Sequence, residues 1–301
     1  MGGTRFVGKA LVETLLGEEH QLTLFTRGNK PIPKGVEHVK GDRSLAEDLQ
    51  VLKGRRFDVI VDISGRTLGD TQKLLEITNS PSYRFIYMSS SGVYSKPYYL
   101  PIDEDGIIDP DSRHKGKYHT ESWLIENQIP FTSFRPTYIY GPGNYNPIER
   151  WFFDRIIFNK PIPIPYDGEI ITQLGHVSDL ANAIKLSLDN NLAINRIYNI
   201  SGKKYTTFNG LVYAAVKACS KNINDIEIKY FKPEKLDKKI RKLFPLRMEH
   251  YMTDVTRIQS ELKWEPKFDL ESGMKDSFVN DYNLLKEHTP DFSSDSILLG
   301  L

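Results

Sequence analysis

Between Ser89 and Glu121 the chain carries the side chains best suited to chemistry: Ser90 in a Ser-Ser-Ser-Gly-Val-Tyr turn, then Arg113-His-Lys-Gly-Lys117. A tyrosine four residues before a lysine on one helix would share its face, so the ammonium could lower the phenol pKa and ready it for proton transfer. Lys117 has the lysine's place, Glu121 follows four residues on, and position 113 is arginine. A guanidinium stays protonated at physiological pH and has no proton to trade. Tyr118 does not replace the phenol, since five residues at 3.6 per turn carry it roughly 140° round the helix from Arg113. The spacing predicts a proton-transfer site of Ser90, Lys117 and Arg113 from which the acid–base group has been lost.

Several elements must position these residues. Arg84 to Met88 reads as a buried strand delivering Ser90 at its carboxyl end, where open α/β sheets bind ligands. Gly2-Gly3-Thr4-Arg5-Phe6-Val7-Gly8 leads into helical apolar spacing over Lys9 to Leu16, a Gly-rich turn whose amides and helix dipole can receive a pyrophosphate. Gly2, Gly3, Thr4, Arg5, Phe6 and Gly8 are therefore candidate cofactor contacts, with Arg5 standing where a glycine is usual. Gln21 to Phe25 reads as a strand ending in Thr26-Arg27-Gly28, and Arg27 favours the 2′-phosphate of NADP(H). Asp42 after the third strand is a further candidate cofactor contact. Ser64 and Gly65 follow the apolar run Phe57 to Ile63, and Pro136 lies in the strand from Phe131 to Tyr138. The strand that should precede the glycine turn is missing except for Met1. It would lie mid-sheet, so its loss leaves ladder hydrogen bonds open on both neighbours, and the chain is expected to begin a few residues late.

The 301 residues suffice for one large domain or two unequal ones. Hydrophobic content of 39%, charged content of 26% and a negative mean hydropathy exclude a membrane-spanning chain, and no signal peptide precedes the first motif. The lone Cys219 cannot form an internal disulfide, which suits a reducing compartment. A net charge of +1 confines any nucleic-acid site to a local patch.

Further along, Arg135-Pro136 and Tyr140-Gly-Pro-Gly-Asn144-Tyr145-Asn-Pro147 form a loop too rich in Gly, Pro and Tyr to be a plain connection. Trp151-Phe-Phe153 reads as core packing, Gly175-His176-Val-Ser-Asp179 as a crossing back of the chain, and Ile197 to Ser201 as a late strand. In this order the motifs resemble the extended short-chain dehydrogenase/reductases of the NAD-dependent epimerase/dehydratase superfamily. Within it, Met1 to Gly8, Arg113-His-Lys-Gly-Lys117, Asn144 to Pro147, Gln173 to Val177 and Asp291 to Asp295 are similar to the chloroplast stem-loop-binding proteins, the b type above all, and their bacterial relatives.

The resemblance implies an α/β fold: a doubly wound parallel Rossmann-like sheet with its first strand truncated, and a smaller mixed α/β C-terminal domain. The expected core is 1–140 plus about 172–200, and the smaller domain is 141–171 and 201–301. It also implies stem-loop RNA binding, endoribonuclease activity, ribosomal or transcription complexes as partners, and homo- or hetero-oligomers. The implied location is a bacterial cytoplasm, or the plastid stroma for a mature organellar form.

Two basic features support RNA. Arg113, His114, Lys115 and Lys117 form a knot in which Arg113 and Lys117 repel unless an anion sits between them. Lys229 to Arg247 carries Lys238, Lys239, Arg241 and Lys242 with Tyr230, Phe231 and Phe244 interleaved, either an RNA contact or a solvated helix packed by its apolar face. Asn144, Tyr145 and His176 complete the RNA or substrate candidates. No metal motif is present; Mg²⁺ in a nuclease would fall to the acids of Asp103-Glu104-Asp105 and Asp109/Asp111, which also read as a connecting loop. The rival function is an NADP-dependent nucleoside-diphosphate-sugar epimerase or dehydratase.

Overall fold

A computed structural model describes residues 1–299, with the side chain of Lys238 also outside the described set. In chain order the elements are α1 (Phe6–Leu15), β1 (Thr23–Thr26), β2 (Glu37–Lys40), α2 (Ala46–Leu49), β3 (Val59–Asp62), α3 (Leu68–Thr78), β4 (Arg84–Met88), α4 (Lys115–Glu126) and β5 (Phe131–Pro136). There follow β6 (Tyr138–Tyr140), α5 (Ile148–Ile157), β7 (Ile162–Pro165), β8 (Ile171–Thr172), β9 (Leu174–His176), α6 (Val177–Leu188), β10 (Arg196–Ile200) and β11 (Thr206–Thr207). The chain ends through α7 (Phe208–Ala218), β12 (Ile228–Phe231), α8 (Lys238–Arg241), α9 (Thr256–Leu262), α10 (Leu270–Asn280) and α11 (Ser293–Leu299).

Two compact units result. The first holds 1–137, 177–201 and 253–265. Its sheet is parallel throughout, in the order β3-β4-β5-β10, with β1 and β2 as a separate parallel pair. All five residues of β4 are buried, as a strand covered on both faces requires. Helix α1 buries Phe6, Gly8, Leu11, Val12 and Leu15, a helical stripe that packs on α6. A reciprocal Thr67/Asp70 capping box opens α3, and Asn79 in the left-handed region closes it.

The interval between β1 and β3 is where the sequence lacked a strand. Met1 N donates to Val61 O at 2.7 Å and Gly2 N donates to Phe25 O at 3.2 Å. Two residues thus bridge the pair and the four-stranded sheet, each answering one backbone group that a full strand would have paired.

The sequence placed 253–265 in the smaller domain, and this segment instead belongs to the first unit. Trp264, fully buried, donates Nε1 to Asp179 O at 3.0 Å, Ile102 bridges to Thr253, and Asp254 N donates to Ile102 O.

The second unit holds 138–176, 202–252 and 266–299 of the described residues. Its strand pairs are β6–β9, β7–β12 and the antiparallel β8–β11. Phe152 and Phe153 of α5 are buried with Phe208, Leu211, Met274 and Phe278, so the Trp151-Phe-Phe segment is core as expected. Each fully buried ring contributes about 1.5–3 kcal/mol.

Candidate functional site

The glycine turn is built by close approach. A Cβ on Gly3, at φ +114°, would lie 2.5 Å from Leu24 Cδ2, and one on Gly8 would lie 2.6 Å from the Gly3 nitrogen. Only glycine lets the turn, β1 and α1 meet this tightly. Arg5 occupies the N-cap position of α1 without a side-chain cap, and the first turn has no acidic residue, so the helix's own first turn leaves its positive dipole end unneutralised. This cradle fits a pyrophosphate. The Phe6 side chain is buried and Thr4 half-buried, so they would serve a ligand through the backbone of the turn.

Arg27 is 66% exposed beyond β1, its Nη1 3.9 Å from Asp42 Oδ2. Asp42 Oδ1 accepts from Ser44 N and Oγ, which hold its carboxyl below the usual range against a smaller opposing effect of burial. The structure adds a clasp the sequence did not signal as a pair. Arg43 reaches from the end of β2 to fully buried Asp62, with Nη1–Oδ1 at 2.5 Å and Nη2–Oδ2 at 3.0 Å, and also donates to Ser64 Oγ at 2.7 Å. Asp62 accepts from Ser64 N and Gly65 N as well. Burial pushes its carboxyl up, and Arg43 with these hydrogen bonds outweighs burial, so the group is held down and ionised. A lone acid ending the apolar run Val-Ile-Val-Asp62 was the available sign that a cation had to meet it.

The proton-transfer residues are arranged differently from the sequence reading. Helix α4 begins at Lys115 with His114 as its N-cap, so Arg113 stands ahead of the helix and does not share a face with Lys117. Lys117 turns inward: Nζ donates to Met88 O at 2.5 Å and Gly65 O at 3.2 Å, and lies 5.3 Å from the Tyr87 ring centroid. Burial lowers its pKa to about 8, against the pull of Asp62 and Glu121. Arg113 is exposed, its Nε donating to His114 Nε2 at 3.0 Å. The basic knot is therefore Arg113, His114 and Lys115, without Lys117. Ser90 Oγ accepts from Gly92 N at 3.1 Å, and Ser91 Oγ donates to Pro136 O at 2.9 Å. A Cβ on Gly92 would meet His114 Nε2 at 3.0 Å and Ser90 Oγ at 3.1 Å, so serine and imidazole converge over that glycine.

A buried network holds the loop that leads into α4. Arg135, 2% exposed, donates Nη2 to Glu121 Oε2 at 2.7 Å and Nε to both Glu121 oxygens at 3.2 Å. Its Nη1 donates to Tyr94 Oη at 2.9 Å and Glu104 O at 3.1 Å, while Tyr94 donates to Asn199 Oδ1. Glu104 Oε1 accepts from Asn199 N, and Oε2 lies 3.4 Å from Arg257 Nε. Glu104 is thus an internal brace of the loop proposed for Mg²⁺, and among the described residues no cluster of three or more His, Cys, Asp or Glu forms a metal site.

In the second unit several candidates prove to be internal. His176 is 2% exposed, stacked on Phe268 at 3.8 Å and edge-on to Tyr140, with Nε2 3.3 Å from Asp276 Oδ2. Burial lowers its pKa to about 4 despite Asp276, and the ring lies inside the unit and not at its surface. Asn144 is also buried, donating to Ile139 O and Glu149 Oε2, and braces its loop, whereas Tyr145 beside it is 64% exposed. Phe231 and Phe244 are core residues packed among Trp151 and Phe208, so of the two readings of this stretch the inward-packed one holds for these rings. Tyr230 remains 52% exposed, and Lys239, Arg241 and Lys242 are exposed; the Lys238 side chain lies outside the described residues.

A parallel sheet with a glycine cradle at the turn into α1 defines a dinucleotide-binding type of domain, and the comparisons agree. The chain belongs to the NAD dependent epimerase/dehydratase family, whose model matches residues 1–201. It is 42% identical over 319 aligned residues to the chloroplast stem-loop binding protein of 41 kDa b of Arabidopsis thaliana, covering 100% of this chain and 83% of that one. Among solved structures, UDP-glucose 4-epimerase from Thermotoga maritima superposes with a TM-score of 0.77 at 20% identity, over 93% of this chain and 96% of that one. The dTDP-glucose 4,6-dehydratase of Bacillus anthracis, solved with NAD, gives 0.76 at 22% identity over 95% and 96%. These two share the fold.

Proposed function

We propose that this chain is a stem-loop RNA-binding protein on a degenerate short-chain dehydrogenase/reductase scaffold. The observation that carries the reading is the fate of the proton-transfer set: Lys117 is bonded to Met88 O and Gly65 O inside the unit, and Arg113 stands exposed ahead of α4. What remains outside is charge. Arg5, Arg27, Arg66, Arg113 and Lys115 are exposed where the chain leaves strands or enters α1 and α4, and all can contact phosphates. The relative named for stem-loop binding supports the ligand class.

NADP(H) belongs to the same proposal, held by the amides of the Gly3–Phe6 turn with Arg27 at the 2′-phosphate. When bound, it would supply a hydride-accepting ring. Its hydride chemistry has lost the tyrosine, so the cofactor is assigned an architectural or regulatory part. For endoribonuclease activity, His114 beside Ser90 takes the acid–base role that burial denies His176. Ribosomal or transcription complexes, in a bacterial cytoplasm or plastid stroma, are the proposed setting.

A second reading, turnover of a nucleoside-diphosphate sugar, is favoured by the close-packed glycines Gly3 and Gly8 and by the Ser90–His114 convergence. The deciding experiment is stem-loop RNA binding over a salt series, with NADPH in a matched set. Five phosphate contacts would give a log–log slope of up to about −4.5 on a duplex stem. Competition by NADPH places RNA on the first unit's cations. Absence of RNA binding at low salt refutes the proposal, and sugar-nucleotide turnover becomes the reading to test.

A further inference from the structure

Glu149 lies inside the second unit, and among the described residues its carboxylate is met by amide groups rather than by a cation. Oε1 accepts from Gly141 N at 3.0 Å and Oε2 from Asn144 Nδ2 at 3.4 Å. Arg150, next along α5, turns to Asp281 instead, with Nη2 3.2 Å from Oδ2. Asp281 stands at the C-cap of α10 and works against ionisation of Glu149 from that side. Burial is the larger cause and pushes the carboxyl up to about 7, while the Gly141 amide and Asn144 hold it down by less.

Both bonds run to one loop, and Asn144 is the piece that joins them to its far side. Its Nδ2 donates to Ile139 O at 3.3 Å as well as to Glu149, and its Oδ1 accepts from Asn146 N at 3.0 Å. This arrangement suits the ionised form of Glu149. A carboxyl proton on Oε2 turns that oxygen into a donor facing the donor Nδ2, and on Oε1 it faces the Gly141 amide. Turning the Asn144 amide over relieves the first conflict, since Oδ1 then accepts the new O–H. The same turn takes Oδ1 from Asn146 N and Nδ2 from Ile139 O. Gly141 at φ +129° and Gly143 at φ +79° give the backbone its freedom at this bend, and a Cβ on Gly143 would meet nothing within 4 Å. Exposed Tyr145 sits between Asn144 and Asn146 and moves with them.

We propose that Glu149 is a proton-operated latch on the loop from Gly141 to Pro147: ionised, it ties the loop and fixes Tyr145, and protonated, it turns the Asn144 amide over and releases Asn146 and Tyr145. The proton comes from solvent, and no other group changes state. With the folded carboxyl near 7, the loop is tied at about pH 8 and released at about pH 6. A ligand that contacts the tied loop must therefore bind with loss of this proton, and its affinity falls as pH drops through that window. The latch works without a ligand, so it stands apart from the RNA reading.

The test is amide hydrogen exchange of residues 139–147 in the full chain from about pH 6 to about pH 8.5, with each rate divided by the chemical exchange rate at that pH. Protection of this segment should fall at least about tenfold toward the acid end, with its midpoint near 7, while α7 of the same unit keeps its protection. Glu149→Gln keeps the shape and carries a donor in place of one oxygen, so it should show the acid-side protection at every pH. His288 meets Asp154 of the same helix, and His288→Asn should leave the midpoint where it is. A flat wild-type profile overturns the latch, and it decides the matter alone if the glutamine variant does not fold. A Glu149→Gln profile that still titrates, or one that keeps the alkaline-side protection throughout, overturns it as well. So does a midpoint that disappears with His288.

Discussion

Replacing Glu121 by glutamine tests whether the Arg135 network holds the loop that presents Ser112, Arg113 and His114. Glu121 and Arg135 are 1% and 2% exposed, so neither charge has water to fall back on. Arg135 makes three contacts to the carboxylate, at 2.7, 3.2 and 3.2 Å. Glutamine keeps the shape, removes the negative charge and turns an amide donor toward a guanidinium that cannot shed its proton. Breaking a buried pair in this way costs about 3–5 kcal/mol. With a urea dependence of about 2–3 kcal/mol per molar, the midpoint of the first unit should fall by about 1–2.5 M. Buried Trp264 gives a fluorescence signal for that unit, and hydrogen exchange over residues 94–112 reads the loop directly. Glu13→Gln, which breaks the exposed Lys9–Glu13 pair, should leave the midpoint where it is. A Glu121→Gln shift below about 0.5 M, with loop exchange unchanged, would mean that the pair is solvated and does not position the site.

Two groups should impose opposite pH dependences. Lys117 titrates near 8 when folded against an ordinary 10.5, so between those values the unfolded chain binds more protons and stability rises with pH, by up to about 3 kcal/mol. Lys117→Met should abolish that rise in urea midpoints of the first unit, and a rise that persists in the variant would refute the assignment. Glu149 is 2% exposed; burial raises its pKa from 4.5 to about 7, against the Gly141 amide and Asn144 that hold it down, with Asp281 adding to the rise. Here the folded state binds more protons between 4.5 and 7, so stability of the second unit falls across that window, again by up to about 3 kcal/mol. Glu149→Gln should flatten the profile, followed through Trp151; parallel profiles for variant and wild type would sink the reasoning.

The α/β class and its buried parallel strands were legible in the chain, because they follow from local periodicity, turn glycines and residue type. Gly3 and Gly8 could be read as a tight turn opening a helix before any contact was known, and their close approach to Leu24 and to each other bears out that turn. Tertiary packing decided the rest. Moving the start of α4 to Lys115 separates Arg113 from Lys117, and a lysine's direction depends on which carbonyls the neighbouring strands leave open, here Met88 O and Gly65 O. His176, Asn144, Phe231 and Phe244 looked like ligand contacts by type and were buried by elements far away in sequence, Phe268 and Asp276 around His176 among them. The Arg43–Asp62 and Arg135–Glu121 pairs span 19 and 14 residues, beyond the reach of any helix or strand period. Residue type and spacing therefore determined the chemistry this chain had available, and burial, which sums contacts from the whole fold, decided which of those groups meets a ligand.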